Sequence, residues 1–148
     1  VAITMALSLA HALEFPGKLR LDEATYRAVQ AIYYPGFTIG GFGEFGALVV
    51  LPVLLFLTPF GTNRFWWIAA ALFFLLISHA IYWFVTHPVN HIWLKDSDVA
   101  GMGALFFSTF AGPEADWKHL RNVWEYSHIA RACCGIVSLI SMAVALTR

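Results

Sequence analysis

The sequence from Phe65 to Val85 is FWWIAAALFFLLISHAIYWFV, an apolar stretch with a single histidine, His79, near its end. About 20 such residues in a helix cross the hydrocarbon core of a bilayer, so the stretch predicts a membrane-spanning helix. Two further stretches of near-spanning length run from Phe37 to Leu57 and from Trp124 to Leu146. A shorter one, Val1 to Phe15, is expected to be the end of a first span rather than a signal peptide, because it lacks a small-residue cleavage site.

The composition indicates an integral membrane protein. Of 148 residues, 59% are hydrophobic and 12% are charged, whereas ordinary soluble domains carry about 25% charged residues. The nine basic and nine acidic residues give a formal net charge of zero, so no nucleic acid or polyanionic partner is expected. The expected partners are the lipid bilayer and a lipophilic small molecule, and the chain fits either a homo-oligomer or a subunit of a larger membrane complex.

A short helix is predicted between the first two spans. Asp22 is placed to cap this helix, and Glu23 lies in its first turn, where negative charge is favourable. Pro35 and Gly36 interrupt the helix after Tyr34. The expected fold is therefore all-α. It is a single integral membrane four-helix bundle with spans at about residues 1–15, 37–57, 65–85 and 124–146, and with an extra interfacial helix between spans one and two.

Positive charge is distributed unequally between the two sides of such a bundle. If the four spans alternate, six basic residues lie on one side and two lie on the side that holds both termini. The six are Lys18, Arg20, Arg27, Lys95, Lys118 and Arg121, and the two are Arg64 and Arg148. The positive-inside rule then predicts that the first side is cytoplasmic and that both termini are outside, in a bacterial inner (plasma) membrane.

Every predicted span carries an ionisable residue in or near its cytoplasmic half, whereas the outer half is almost purely apolar. Inserting a charged group at the centre of a membrane helix costs roughly 2.5–3.5 kcal/mol on the scales that give the lowest values. Neighbouring groups must therefore compensate these charges. The polar residues at this level are His11 and Glu14 in span one, Glu44 in span two, His79, Tyr82, Thr86, His87 and Asn90 in span three, and Arg121, Trp124, Glu125, His128 and Arg131 in span four. Their segregation predicts a functional site towards the cytoplasmic side.

Helical spacing groups these residues further. The span-four residues recur at steps of three and four and therefore share one face of the helix. On span three the residues His79, Tyr82, Trp83, Thr86 and Asn90 do the same. His11-x-x-Glu14 and Glu125-x-x-His128 mirror each other, with the histidine deeper in both. Helix-bundle di-metal sites combine Glu-x-x-His on two helices with carboxylates from two others. One of those carboxylates is missing here, which favours a mononuclear or His-rich site of iron or copper.

The candidate metal ligands are His11, Glu14, His79 and His128, with His87 and Glu125 as weaker candidates. The candidate catalytic residues are Glu44 as a base, Arg131 as the group that stabilises an anion, Asn90 and Tyr82. The alternative interpretation is structural, because an intramembrane histidine beside Tyr or Ser is often a hydrogen-bonded helix contact. On that interpretation Glu14 and Glu125, near the interface, are expected to be solvated rather than to bind metal. The sequence does not decide whether Arg131 pairs with Glu44 or with Glu125.

The second half of the chain also contains a family-like pattern. Thr86-His87-Pro88-Val89-Asn90 is followed by Trp117 and then by Leu120-Arg121-x-x-Trp124-Glu125-x-x-His128-x-x-Arg131. This pattern resembles the Pro-x-Asn and Arg-x-x-Trp-x-x-x-His-x-x-Arg signatures of small four-span membrane proteins related to fungal anthrone oxygenases. The resemblance implies a four-helix membrane bundle that oxidises an aromatic or lipophilic substrate with oxygen. The shared positions are Asn90, Arg121, Trp124, His128 and Arg131, whereas Glu44 and the segment from His11 to Lys18 lie outside the pattern.

Two classes of function follow from these residues. The first is a membrane oxygenase or oxidoreductase whose lipophilic substrate enters between helices, with His11, His79 and His128 binding metal or moving protons. The second is a non-catalytic membrane subunit, or a haem or small-molecule binder, in which two histidines ligate haem or the polar cluster holds the bundle in register. The number of spans does not separate these classes, whereas the metal content and optical spectrum of the purified protein would.

Overall fold

The computed structural model of the chain describes residues 1–33, 36–94 and 116–148, except for the side chains of His91 and Leu94. The residues in these ranges form helices and no strands, which confirms the predicted all-α class. The α-helices are α1 (Ala2–Lys18), α2 (Glu23–Ile32), α3 (Gly36–Leu57), α4 (Asn63–Ile81), α5 (His87–Leu94) and α6 (Trp117–Leu146). A π-helical turn, Tyr82–Thr86, joins α4 to α5.

Three helices are long and apolar enough to cross a membrane. They are α3, the continuous helix from α4 to Asn90, and α6, and they contain the predicted spans 37–57, 65–85 and 124–146. Their outward faces stay apolar, as the exposed Phe42, Val49 and Phe56 of α3 illustrate. Such a continuous apolar surface is typical of a face that contacts lipid. The α1 helix has 17 residues and is not among these three helices.

The π-helical turn follows from Pro88. Proline has no N–H to offer the carbonyl of Phe84, four residues earlier, and its ring clashes with that carbonyl in a regular α-helix. A wider turn relieves the clash and continues the helix into α5. The turn packs against α6, where Thr86 is fully buried and its hydroxyl lies 2.8 Å from the hydroxyl of Ser127. Proline therefore helps to set how this part of the chain faces α6.

The α6 helix is the centre of the bundle, because both α4 and α1 pack chiefly against it. Its buried face is rich in small residues, namely Ser127, Ala132, Gly135, Ser138, Ser141 and Ala145. Small side chains let membrane helices approach closely, and hydroxyls can bond across the contact. The Ser138 hydroxyl donates a hydrogen bond to the backbone carbonyl of Ala71 on α4, at 2.7 Å. At the C-terminal end of α6, the guanidinium of Arg64 donates a hydrogen bond to the backbone carbonyl of Ala145 at 3.1 Å.

The α2 helix begins as predicted, because the Asp22 carboxylate accepts a hydrogen bond from the backbone N–H of Thr25 at 2.8 Å. Its buried face joins a core with residues of α5 and α6. The buried members of this core are Tyr26, Tyr33, Val89, Trp93, Leu120 and Trp124. Aromatic packing therefore fixes α2 to the bundle. The predicted end of this helix at Tyr34 and the segment 95–115 lie outside the described residues.

The close approach of α1 to α6 at Gly135 can be tested by adding one methyl group. A Cβ at this position would lie 3.0 Å from the Cα of Met5, so the backbone of α1 would have to move. We expect Gly135→Ala to lower the free energy of unfolding by about 1–3 kcal/mol, the usual cost of overpacking.

Gly46→Ala is the matched control, since an added Cβ there would have no atom within 4 Å apart from its chain neighbours and the nearby backbone of its own helix. Alanine is favoured over glycine in a helix by up to about 1 kcal/mol, so this variant should be as stable as the wild type or more so. The measurement is reversible unfolding of each variant in bicelles. Equal stability of the two variants would contradict the close contact between α1 and α6.

Candidate functional site

A buried carboxylate joins three helices, α3, α4 and α6. One oxygen of Glu44, on α3, accepts a hydrogen bond at 2.8 Å from the guanidinium of Arg131, on α6. Its other oxygen lies 3.0 Å from Nδ1 of His79, on α4. Glu44 and Arg131 are both buried. The sequence left two partners open for Arg131, Glu44 and Glu125, and the structure pairs it with Glu44.

The contacts of His79 define which of its nitrogens carries the proton. The indole N–H of Trp83 donates to Nε2 of His79 at 2.8 Å. An indole nitrogen is only a donor, so Nε2 of His79 must be an acceptor. In the neutral imidazole the proton is then on Nδ1, which donates to Glu44. Trp83 lies one helical turn after His79, a spacing that already put both residues on one predicted face.

Tyr82 and Asn90, two predicted site residues, lie on the α6 side of the same helix. The ring of Tyr82 packs against Arg131, with 4.9 Å between the ring centroid and the guanidinium carbon. The amide oxygen of Asn90 accepts a hydrogen bond from the indole of Trp124 at 2.6 Å. The Nε of Arg131 is buried and has no hydrogen-bond partner among the described residues. Arg131 therefore keeps one N–H available beside the Glu44 carboxylate.

His11 and His128 are in direct contact between α1 and α6. Their ring centroids are 4.4 Å apart and their planes are at 69°, an edge-to-face arrangement. Nδ1 of His128 lies 2.9 Å from the carbonyl of Trp124, to which it donates, so Nε2 is the acceptor of the neutral ring. Nδ1 of His11 is buried without a hydrogen-bond partner in the part of the chain that the structure describes. Tyr33, Phe37 and Trp124 surround the His11 ring, with centroids 4.5 to 4.8 Å away.

A second group of charges lies where α1, α2 and α6 meet. The ammonium of Lys18 is 3.0 Å from Glu14 and 3.7 Å from Glu125. The Tyr26 hydroxyl donates to Glu125 at 2.9 Å, and the Tyr33 hydroxyl donates to Glu14. Burial raises the pKa of the Tyr26 phenol, so its hydroxyl stays a donor at neutral pH. The expectation that Glu125 is solvated was wrong, since its side chain is fully buried, whereas Glu14 is exposed as expected.

The predicted site residues therefore fall into two groups that share α6. His79 and Glu44 lie with Arg131 on the α3 and α4 side, and His11 and Glu14 lie on the α1 side with His128. The weaker candidate His87 is fully buried, beside the rings of Tyr82 and Trp83. Within the residues that the structure describes, no three or more His, Cys, Asp or Glu side chains form a group that could hold a metal ion.

Lys18, Tyr26 and Tyr33 take part in the α1–α2–α6 charge group but were not selected from the sequence as site residues. A signal for Lys18 exists in its position four residues after Glu14, which places both on one helix face. Tyr26 and Tyr33 are seven residues apart and therefore also share a face. Their partners, Glu125 on α6 and Glu14 on α1, depend on how α2 packs against the bundle, which no local pattern indicates.

Comparison with known proteins adds no relative. No family model, no curated protein and no solved structure matches the chain.

The buried ion pair should show strong energetic coupling. We expect Glu44→Leu and Arg131→Met each to lower the free energy of unfolding by about 3–5 kcal/mol, because each leaves the other charge buried without its partner. The double variant should cost clearly less than the sum of the two single variants, since it leaves neither charge behind.

The exposed pair of Glu23 and Arg27, with 2.8 Å between the charged atoms, is the matched control. Exposed pairs one helical turn apart contribute only about 0.3–0.5 kcal/mol. Unfolding free energies of the single and double variants in bicelles give both couplings. A Glu44–Arg131 coupling as small as the control would show that the two charges do not depend on each other.

Proposed function

We propose that this chain is a membrane-embedded oxygenase or oxidoreductase that acts on a lipophilic or aromatic small molecule. In this proposal α1 serves as a fourth span, α2 lies at the interface, both termini are outside, and the polar groups face the cytoplasmic side of a bacterial plasma membrane. The observation that carries the proposal is the buried Glu44 carboxylate held between Arg131 and His79. A positioned carboxylate beside a fixed cation can remove a proton and stabilise the anion that results.

Glu44 is the base in this proposal rather than His79. The acceptor nitrogen of His79 is already engaged by the Trp83 indole, whereas the Glu44 carboxylate accepts hydrogen bonds and can take up a proton. Arg131 is the cation that pairs with Glu44. Its guanidinium adjoins Glu44 and has one N–H without a partner among the described residues, so it can donate to an enolate oxygen formed nearby.

An enolisable aromatic ketone such as anthrone illustrates the balanced reaction. Glu44 takes a proton from the methylene carbon, and the electron pair moves into the ring system as an enolate whose oxygen faces Arg131. Molecular oxygen is the oxidant and adds to that carbon, and the proton on Glu44 passes to the resulting peroxide. Loss of water then gives the quinone, so that one anthrone and one O2 yield one anthraquinone and one water.

The surroundings of His79 offer a route for such a substrate. The His79 side chain is 22% exposed, although its partner Glu44 is buried. Phe45 packs edge-on against His79, with 5.7 Å between ring centroids, and is itself exposed on the outward face of α3. A lipophilic molecule dissolved in the bilayer would therefore reach the Glu44–His79 pair sideways, across an aromatic surface. This route suits a substrate that partitions into lipid.

Iron or copper remains part of the proposal at the other pair of histidines. His11 has a buried nitrogen without a hydrogen-bond partner in the described residues, and the acceptor nitrogen of His128 is its Nε2. Glu14 lies 3.8 Å from His11 and would become a third ligand only after a rearrangement, since the described side chains do not already form a three-ligand group. A bound metal ion would supply oxygen binding and electron transfer. The direct contact of the two rings favours a small ion over a haem, because a porphyrin would have to separate them.

The second candidate function is a non-catalytic membrane subunit. The observation that favours it is the mutual hydrogen bonding of Glu44, His79 and Trp83, which would also hold the bundle in register. The two candidates differ in one consequence. A network with only a structural role would need the charge of Glu44 but no proton transfer to it, whereas the proposed oxidation would need both.

Oxygen uptake by the purified chain in lipid vesicles tests the proposed chemistry. With anthrone in the bilayer, the wild type should consume oxygen and form anthraquinone, measured by an oxygen electrode and by absorbance. Glu44→Gln keeps the shape of the side chain but loses the base, so the rate should fall by about 100-fold or more. Glu23→Gln, at an exposed ion pair, should leave the rate unchanged. A wild-type rate equal to that of empty vesicles would contradict the proposal for this substrate class.

His128→Gln tests the role of the histidine pair. Glutamine keeps a donor and an acceptor, so a histidine that serves only as a helix contact should tolerate this change. If His128 binds metal or moves a proton, bound iron or copper or the oxidation rate should fall by at least ~100-fold. The measurement is metal content by elemental analysis together with oxygen uptake, both normalised to folded protein. Near-normal values for both would assign His128 a structural role.

A further inference from the structure

An open cleft lies between the α1–α2 connection, residues 19–22, and the first turns of α6. Its volume is about 660 Å³, within the range of about 300–1,000 Å³ that is typical of small-molecule sites. Three of the residues that line it are cations, namely Arg20 from the connection and Lys118 and Arg121 from α6. The cleft therefore brings positive charge from two separate segments to one concave surface.

These three cations have no carboxylate partner in the part of the chain that the structure describes. The side chains of Arg20 and Lys118 are exposed. The Arg121 guanidinium contacts only neutral groups, the amide oxygen of Asn122 at 3.2 and 3.3 Å and the Trp117 ring, whose centroid is 5.2 Å away. A guanidinium has five N–H donors, so Arg121 keeps donors for a further acceptor.

Two carboxylates also line the cleft, and both already have partners on α2. Glu23 pairs with Arg27, with 2.8 Å between the charged atoms, so its charge is compensated by a residue outside the cleft. Asp22 accepts the hydrogen bond from the N–H of Thr25 that caps the helix. Three cations thus face one carboxylate, that of Asp22, without a cation of its own, and the cleft keeps an excess of positive charge.

The position of the cleft along α6 corresponds to the headgroup region of a bilayer. With a rise of about 1.5 Å per residue, Arg121 lies about 38 Å from Leu146 along the helix axis. A bilayer including its headgroup regions is about 40–45 Å thick. The α6 helix is long and apolar enough to cross it. When Leu146 is at one surface, Arg121 therefore reaches the headgroups of the opposite surface.

The remaining residues of the cleft favour a lipid over a soluble anion. Leu19, Leu21 and Trp117 add apolar surface to it, and the Leu19 side chain is 44% exposed. A phospholipid offers a phosphate to the cations and its glycerol and first acyl carbons to this apolar surface. Tryptophan is itself enriched at that level of a membrane. A soluble phosphate would use the cations alone, and a zwitterionic headgroup would bring a second, repelled ammonium.

We propose that this cleft binds the headgroup of an anionic glycerophospholipid, with Arg20, Lys118 and Arg121 as the cations that hold its phosphate. Basic pockets between membrane helices bind anionic headgroups in this way. The bound lipid links the α1–α2 connection to the start of α6. This inference does not rest on the oxidation proposed at Glu44, and it applies equally to a non-catalytic subunit.

An NMR titration of the full chain in phosphatidylcholine bicelles tests the proposal. Phosphatidylglycerol replaces a rising fraction of the phosphatidylcholine, and the side-chain N–H signal of Arg121 reports binding. In the wild type this signal should shift and then saturate. Arg20→Gln and Lys118→Gln each remove one exposed cation of the cleft, so the phosphatidylglycerol fraction at half saturation should rise about fivefold in each, the usual effect of one basic residue at an anionic surface.

Two matched variants separate binding in the cleft from general attraction to a charged bilayer. Asp22→Asn keeps a side chain that caps α2 but removes the carboxylate from the cleft, so the fraction at half saturation should fall by a similar factor. This gain cannot arise from a loss of folding. Arg148→Gln removes an exposed cation at the other end of α6 and should leave the fraction at half saturation unchanged.

Any of four results would overturn the proposal. The first is a wild-type signal that does not saturate with phosphatidylglycerol. The second is an unchanged fraction at half saturation in both Arg20→Gln and Lys118→Gln, or in Asp22→Asn. The third is an equal loss of affinity in Arg148→Gln, which would indicate attraction to surface charge alone. The fourth is the same shift on adding inorganic phosphate to pure phosphatidylcholine bicelles, which would assign the cleft to a soluble anion.

Discussion

The ion pair between Arg131 and Glu44 is the interaction on which the rest of the structure depends. Both charges are buried among helices with apolar outer faces. The desolvation cost of each charge is offset only because the other lies 2.8 Å away. The pair fixes the rotation of α3 relative to α6, and His79 on the second oxygen fixes α4 as well. Three helices are thereby held at one level by a single carboxylate. The small residues of α6 then allow α1 and α4 to close around it.

The α6 helix connects the two polar groups of the molecule. Its successive turns present Glu125 to Lys18, His128 to His11 and Arg131 to Glu44. A helix brings residues three and four apart to one face, so a single stripe can serve partners on several neighbouring helices. The proposed base and the charge group around Lys18 are separate along this stripe, and the histidine pair lies between them.

The structural and the chemical interpretations of these residues use the same contacts. A buried polar network stabilises a bundle only when its groups have partners, and most of the groups around Glu44 do. Within the described residues several buried polar atoms lack a hydrogen-bond partner, and two of them, one N–H of Arg131 and one nitrogen of His11, belong to residues of the proposed chemistry. At these two residues a substrate or a metal ion could supply the missing partner.

The sequence by itself determined the helical class, three membrane-length helices, the Asp22 cap and the set of polar residues, because hydrophobic length, capping chemistry and helical spacing are local properties. It did not determine which charges pair. Arg131 could equally have met Glu44 or Glu125, and Glu125 was expected in water. The choice depends on how each helix is rotated and how closely it approaches α6, which contacts such as Gly135 with Met5 and the π-helical turn set. Those are relations between distant segments, so only the tertiary structure placed Glu125 beside Lys18 and left Glu44 to Arg131.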